Sequence, residues 1–297
     1  MAPFRTRIAP TPSGHLHRGN AFAFLATYLW AQTHQASLLL RFDDLDQPRY
    51  RREYAESIFH TLHLLDIQWD KGPRDVQELE QEWSQKYRLE HYQNFLEKLK
   101  NRGTLFACSC SRKDLIAHPE GYVYPGTCLQ RGLAFRQKAV AWRYSGTNEA
   151  VLYPFNESEP PQKVSLPPTL MHMVLRRKDG LPAYQVASLC DDLHYGITHI
   201  IRGMDLWPSS IAQLCLAANG APEFTNTRFW HHQLLNYRDG SKMSKSQQAP
   251  PVNEELSNAA GKEKFYGDFC EWMGWPEKYR STREILQALK KAKLNLL

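Results

Sequence analysis

The stretch from Phe4 to Phe42 constrains the fold most. Phe4 to Ala9 reads as a strand that ends at the proline-rich turn Pro10-Thr11-Pro12-Ser13-Gly14. A helix follows from about Gly19 to Gln35, with Phe22, Leu25, Tyr28 and Leu29 on one face. Ser37 to Phe42 is a short, mostly apolar strand. Strand, helix and strand in so short a stretch predict a βαβ unit and a parallel sheet. A strand that turns tightly into a helix also presents backbone N–H groups to an anion such as a phosphate.

Composition bounds the rest. The 297 residues are 42% hydrophobic, enough for a sizeable core in one large domain or two small ones. A formal charge of +6 is compatible with a nucleic-acid partner and is weak evidence for one. No apolar run approaches the roughly 18 residues that span a bilayer. The start, Met1-Ala2-Pro3-Phe4-Arg5, lacks the apolar stretch of a signal peptide, so a cytoplasmic protein without membrane contact is expected. There the six cysteines are buried hydrophobes, metal ligands or reactive thiols rather than a disulfide framework.

Helical stretches are predicted near Tyr54 to Leu65, with Ile58, Leu62 and Leu65 on one face, and near Gln77 to Arg102. The pattern then changes to three cysteines, strand candidates at Ala139 to Tyr144 and Ala150 to Phe155, and prolines at 160, 161, 167 and 168. The α/β pattern resumes at Ala183 to Leu189 and Ile197 to Ile201, and a helix from Pro208 to Ala218 stops at Asn219-Gly220. The predicted organisation is an α/β chain: first half of a catalytic sheet domain at 1–105, an insertion at 106–169, the second half at 170–246, and a short helical region at 247–297. In the last, Ile285, Leu289, Ala292 and Leu296 have helical spacing.

Two segments carry chemistry. In Gly14-His15-Leu16-His17-Arg18-Gly19-Asn20 the histidines can donate to phosphate oxygens, and Gly19 lets a nucleotide approach the backbone. Taken alone, a proline turn with two surface histidines explains these residues as well. Gly240-Ser241-Lys242-Met243-Ser244-Lys245-Ser246 follows a strand-like stretch, Trp230 to Leu235. Its small residues and two lysines suit a loop that closes over a triphosphate, Lys245 acting as a point charge. A solvated basic loop is the plainer reading. It is not a Walker loop, since no G-x-x-x-x-G-K-[ST] string occurs.

The longer string Arg7-Ile8-Ala9-Pro10-Thr11-Pro12-Ser13-Gly14-x-Leu16-His17-x-Gly19 resembles the glutamyl/glutaminyl branch of class I aminoacyl-tRNA synthetases, which reads R-F-A-P-S-P-S/T-G-x-L-H-x-G there. Lys242 to Ser246 resembles the second ATP-binding signature of that class. Arg41-Phe42-Asp43-Asp44-Leu45-Asp46 resembles the branch's R-I/F-E-D-T-D, with Asp43 in place of the glutamate that contacts the substrate's α-ammonium. Arg18 stands where an apolar residue is usual. Tyr184, with Asp191-Asp192 following, and Arg202 before Gly203-Met204-Asp205-Leu206 match the branch's pocket residues.

The resemblance implies a Rossmann-type parallel sheet and ATP-dependent activation of glutamate, with Mg²⁺ accompanying ATP. It assigns catalysis to His17, Lys242 and Lys245. It assigns ATP to Pro10, His15, His17, Gly19, Asn20 and Lys245. Glutamate falls to Arg7, Ile8, Ala9, Pro10, Thr11, Asp43, Tyr184 and Arg202. A guanidinium pairs with a carboxylate through two parallel hydrogen bonds, which favours glutamate over its amide.

Cys108-Ser109-Cys110 and Cys128 give three sulfur donors for a tetrahedral zinc site. His118, Tyr122 and Tyr124 are candidate fourth donors. Donor chemistry alone favours His118, because tyrosine must lose a proton of pKa about 10. Three buried cysteines without metal are the plainer alternative. A short-chain synthetase subgroup carries C-x-C…Y-x₃-C as its zinc site, and Tyr124-Pro125-Gly126-Thr127-Cys128 matches it. That resemblance implies one structural Zn²⁺ per chain on Cys108, Cys110, Tyr124 and Cys128. Cys190, Cys215 and Cys270 read as structural.

Residues 247–297 are too few for the anticodon-binding region of an ordinary glutamyl-tRNA synthetase. With the zinc pattern, this resembles the glutamyl-Q tRNA(Asp) synthetase family, which activates glutamate without tRNA and transfers it to queuosine in the anticodon of tRNA(Asp). The implied partners are ATP, L-glutamate and tRNA(Asp) carrying queuosine, and a monomer is expected. The rivals are a truncated glutamyl-tRNA synthetase that charges the tRNA 3′ end and a non-catalytic RNA-binding homologue.

Overall fold

Strand β1 (Arg5–Ile8) and strand β2 (Ser37–Leu40) pair in parallel, Arg5 opposite Ser37 and Ile8 opposite Leu40. Helix α1 (Arg18–Thr33) connects them, so the βαβ unit read from the sequence is present. The ladder continues past both strands: Arg41 N–H donates to the Ile8 carbonyl and Asp43 N–H to the Pro10 carbonyl, each at 2.9 Å. On the other edge of β2, Leu40 N–H donates to the Lys71 carbonyl at 2.8 Å. Gly72 then turns the chain at φ +121°, where a Cβ would stand 2.2 Å from the Leu40 carbonyl oxygen. Only glycine tolerates both that approach and that φ. The computed structural model describes residues 4–235, 251–291 and 296.

Helix α2 (Arg52–Leu64) buries Ile58 and Leu62, and Leu65 directly after it is also buried, as their shared face predicts. The stretch from Gln77 to Arg102 is not one helix. Helix α3 (Val76–Glu78) runs into a wide turn at Leu79–Trp83, Ser84 is extended at ψ 143°, and helix α4 (Leu89–Asn101) follows a 3₁₀ turn. The break is fixed from outside the helix. Asp44 Oδ1 accepts from Gln85 N–H at 2.8 Å, and Gln85 Oε1 accepts from Leu45 N–H at 3.0 Å. Both bonds hold the motif that follows β2.

Next come β3 (Leu105–Cys108), a hairpin of β4 (Ile116–His118) and β5 (Gly121–Val123), then β6 (Ala141–Tyr144), β7 (Glu149–Pro154), β8 (Gln162–Ser165) and β9 (Val174–Arg176). Strand β6 lies between β3 and β9, antiparallel to both, and β7 pairs antiparallel with β8. The chain continues as α5 (Tyr184–His194), β10 (His199–Gly203), α6 (Trp207–Gly220), β11 (Arg228–His232), α7 (Val252–Leu256), α8 (Ala259–Trp272) and α9 (Thr282–Lys290).

The chain forms two compact units. One comprises Met1–Lys86, His199–Met204 and Trp230–Leu297, the other Tyr87–Thr198 and Asp205–Phe229. In the first, α1 is buried almost all round: Ala21, Phe24, Ala26 and Trp30 are covered as well as the expected face. A helix apolar on every side must be enclosed. Part of the cover is α8, whose Phe265 and Phe269 rings meet Phe22 edge-on at 5.0 and 5.3 Å. Helix α8 gives little sign of itself in the sequence, because its opening, Ala-Ala-Gly-Lys-Glu-Lys, is polar. In the second unit a buried ion pair ties α4's start to α5, Arg88 Nε lying 2.7 Å from Asp191 Oδ1, which also accepts from Tyr92 Oη at 2.8 Å. Among the described residues no helix is long and apolar enough to cross a membrane.

Candidate functional site

In the first unit, the C-terminal ends of β1 and β2 gather most of the residues singled out from sequence. Pro10 follows β1 and holds Asp43 through its carbonyl; Ile8 and Pro10 are buried, Ala9 is half-buried and Thr11 is exposed. His17 is the N-cap of α1, its backbone N–H donating to Asn20 Oδ1 at 3.2 Å. Side chains that bridge backbone groups here replace bonds the first helical turn cannot make within itself. His15 stacks edge-on against Tyr54 at 4.8 Å, with Nδ1 3.4 Å from Ser57 Oγ.

Gly19 has a second role. A Cβ there would lie 3.1 Å from His17 Cε1 and 3.2 Å from Nδ1, so the glycine accommodates the histidine ring.

Arg7 and Arg202 are both buried, 5% and 4% exposed, on β1 and β10. Arg7 Nη1 donates to the Ile201 carbonyl at 3.4 Å, which places its guanidinium next to the residue preceding Arg202. Asp43 is held by Arg41 through both oxygens, at 2.7 and 3.3 Å, in a pair only 2% and 8% exposed. Each carboxylate oxygen has a second lone pair, so a held Asp43 can still accept from an ammonium. Arg41 belongs to the quoted motif, but its tethering role is not part of what the motif implies. The alternation that buries Arg41 and turns Asp43 back toward it is the signal that could have shown it.

His231 is a further residue that the sequence motifs miss. Burial first, then the charges of Arg202 and His232, hold its imidazole down to about 3 from the ordinary 6.5. His231 therefore stays neutral beside Arg202. Between pH 6.5 and about 3 the unfolded chain takes up a proton that the folded one refuses, so stability falls as pH drops through that window. The wild type should lose melting temperature between pH 7.5 and 5, and His231→Gln should lose less over the same range. Identical slopes would remove His231 as a source.

In the second unit, Tyr184 opens α5 and is 41% exposed. The cysteines at 108, 110 and 128 converge with their Sγ atoms all within 4.8 Å of one another. Cys110 Sγ lies 3.6 Å from Cys128 Sγ. Tyr124 Oη lies 3.4 Å from Cys108 Sγ and 3.9 Å from Cys110 Sγ, and it accepts from Cys128 N–H at 2.7 Å. Donors about 2.0–2.3 Å from a tetrahedral zinc stand roughly 3.5–3.8 Å apart. The separations of 3.4, 3.6 and 3.9 Å come close to that spacing, and the group could hold a metal.

His118 lies outside this cluster, its Nδ1 accepting from Glu120 N–H at 3.2 Å in the β4–β5 turn, and Tyr122 is 64% exposed. Arg143 stacks its guanidinium 4.1 Å from the centre of the Tyr124 ring, a contact with no counterpart in the sequence motifs. Burial pushes the Cys128 thiol up, but a backbone hydrogen bond from Ser109 and contacts with Tyr124 and Cys110 bring it down to about 6. Burial and then the Cys128 contact push Cys110 up to about 11. Burial and then Cys108 raise the Tyr124 phenol. A divalent cation held among these donors would lower all of them, because a coordinating thiol gives up its proton. Cys190, Cys215 and Cys270 are buried apart from the cluster.

The second signature, with Lys242 and Lys245, lies outside the described residues.

Residues 3–125 and 148–295 match the family described as tRNA synthetases class I (E and Q), catalytic domain. A curated relative from Verminephrobacter eiseniae, named glutamyl-Q tRNA(Asp) synthetase, is 36% identical over 263 residues, covering 85% of each chain. A relative of the same name from Pseudomonas syringae pv. syringae is 36% identical over 250 residues, covering 83% of this chain and 78% of its own. Among solved structures, a glutamate-tRNA synthetase from Elizabethkingia anophelis superposes with a TM-score of 0.73 at 20% identity, covering 96% of this chain. This chain spans 65% of that structure's length, and the likeness shows the fold. The chain belongs to the class I tRNA synthetases of the glutamate and glutamine branch, within the glutamyl-Q tRNA(Asp) synthetase family, and is an enzyme of the ligase class.

Proposed function

We propose that the protein activates L-glutamate with Mg·ATP to glutamyl-adenylate without tRNA, then transfers the glutamyl group to queuosine in the anticodon of tRNA(Asp). The observation that carries this reading is the 36% identity, over 85% of both chains, to a curated relative named for that reaction. The buried pair Arg7 and Arg202 supports the choice of amino acid. Two guanidiniums removed from water strongly favour a substrate that brings a carboxylate.

In the first step the α-carboxylate oxygen of glutamate attacks the α-phosphorus of ATP, and pyrophosphate leaves. Asp43, oriented by Arg41, receives the α-ammonium, while the side-chain carboxylate goes to Arg7 and Arg202. His15 and His17 at the start of α1 donate to phosphate oxygens as charge shifts toward the leaving group. Little covalent chemistry falls to the protein, so the rate comes from placement and charge stabilisation. In the second step a cyclopentenediol hydroxyl of queuosine attacks the activated carbonyl, and AMP leaves. The Cys108, Cys110, Tyr124 and Cys128 group would hold a structural Zn²⁺ that fixes β3 to the segment after β5; no reaction step passes through it.

Two assays test the reading. Glutamate-dependent pyrophosphate exchange should proceed without tRNA, and glutamine should not replace glutamate. Labelled glutamate should transfer to tRNA(Asp) that contains queuosine and not to tRNA(Asp) that lacks it. Equal charging of tRNA(Glu) would point to a 3′-end synthetase, and absence of exchange to a non-catalytic homologue.

A further inference from the structure

Arg18 stands between two residues of the ATP signature, His17 and Gly19. Its side chain reaches the helices that come last in the first unit. Arg18 Nε donates to Glu255 Oε2 at 3.1 Å, and Arg18 Nη2 binds the other oxygen of the same carboxylate. Arg18 Nη1 binds Asp268. Glu255 is on α7 and Asp268 on α8, so one guanidinium joins two helices to the first turn of a third. The three side chains are 18%, 20% and 37% exposed, which places the cluster at the edge of the interior. Such pairs are screened less than surface pairs.

Two more contacts converge on the same turn. Leu16, on the other side of His17, accepts from Val252 N–H at 3.0 Å, the first residue of α7. Gly261 lets α7 and α8 meet closely, since a Cβ there would stand 1.9 Å from the Glu255 carbonyl oxygen. The two carboxylates therefore approach Arg18 from a fixed frame. His17 is braced on both sides by α7, through Leu16 by a backbone bond and through Arg18 by a forked ion pair.

We infer that Arg18 is a positioning residue, tethering the His17 turn to α7 and α8 so that the histidine is held where ATP phosphates bind. The inference rests on the ATP-dependent reading above and adds a part to it. A planar fork gives a directional tether that an apolar side chain at position 18 cannot. Without Arg18, Glu255 and Asp268 are left as two like charges near one another, and of the two braces from α7 the backbone bond to Leu16 remains.

The test compares Arg18→Leu, Arg18→Lys, and a triple variant, Arg18→Leu with Glu255→Gln and Asp268→Asn. The triple variant lacks the tether but carries no uncompensated carboxylates, so it separates tethering from folding. In pyrophosphate exchange the triple variant should show KM for ATP raised and kcat lowered by ~10-fold each, since small misplacements of a reacting group are costly. KM for glutamate should change by less than about 2-fold, because Arg7, Asp43 and Arg202 are untouched. Arg18→Lys should fall between the wild type and Arg18→Leu. Wild-type kinetic constants in the triple variant, whatever its melting temperature, overturn the inference. A rise in KM for glutamate equal to that for ATP does the same, because it signals general loosening. ATP affinity measured by calorimetry is a second readout that needs no turnover. If the wild type shows no glutamate-dependent exchange, the functional reading fails; the tether then stands on a ~10-fold loss of ATP affinity in the triple variant and falls without it.

Discussion

Replacing Arg202 with alanine should lower kcat/KM for glutamate activation by ~10²–10³-fold, with most of the loss in KM for glutamate. The side chain is 4% exposed on β10, and Arg7 bonds the carbonyl of the preceding residue, Ile201, at 3.4 Å. Two charge-assisted hydrogen bonds to a buried carboxylate are together worth about 3–5 kcal/mol. Losing them costs substrate binding and transition state alike, so KM should move more than kcat. KM for ATP serves as the internal control, because the proposed reading gives ATP to the turn at His17 and glutamate to Arg202. Glutamine should gain on glutamate in the variant, since a guanidinium that favours a carboxylate over an amide is removed. An unchanged KM for glutamate would take Arg202 out of the pocket and leave it a role in keeping His231 neutral.

Removing zinc, or replacing Cys128 with serine, should lower the melting temperature by about 10 °C or more. Four donors lie 3.4 to 3.9 Å apart along three measured edges, and Cys108, Cys128 and Tyr124 are nearly inaccessible to solvent. The elements they join, β3 and the segment after β5, meet in a small cluster with Phe106, around which Cys110, Leu115 and Leu133 pack. A metal crosslink there would add substantially to what orders this stretch. The purified protein should contain one zinc per chain. Cobalt in its place should give sulfur-to-metal charge-transfer absorption. Tyr124→Phe should weaken retention of the metal, while His118→Ala should leave it unaffected. Protein free of zinc whose melting is unmoved by a chelator would return these residues to a packed, metal-free cluster.

The βαβ opening is legible in the sequence because a strand, a proline turn, an apolar-faced helix and a second strand leave few topologies. The convergence of the three cysteines is legible through the family's C-x-C…Y-x₃-C pattern, since the seventeen residues between Cys110 and Cys128 do not fix it by themselves. Arg18 is opaque, because its partners Glu255 and Asp268 are more than two hundred positions away and no local pattern points to them. The break at Ser84 is invisible for a similar reason. Helical spacing continues through it, and the bond that ends the helix comes from Asp44. Helix α8 is hidden because Phe265 and Phe269 are few among charged residues, yet both meet Phe22. Asp43 reads from sequence as a shortened substrate contact, and its buried pair with Arg41 two residues earlier is legible only in the strand alternation.

The first unit is built from segments at opposite ends of the sequence, and this has a consequence during synthesis. Helix α1 is made early, but Phe22 meets its partners only when α8 leaves the ribosome. The second unit is nearly continuous in sequence and can form while the first is still open. For most of the translation time the largely buried helix α1 lacks part of its cover, and Phe22 waits for its ring partners until α8 emerges.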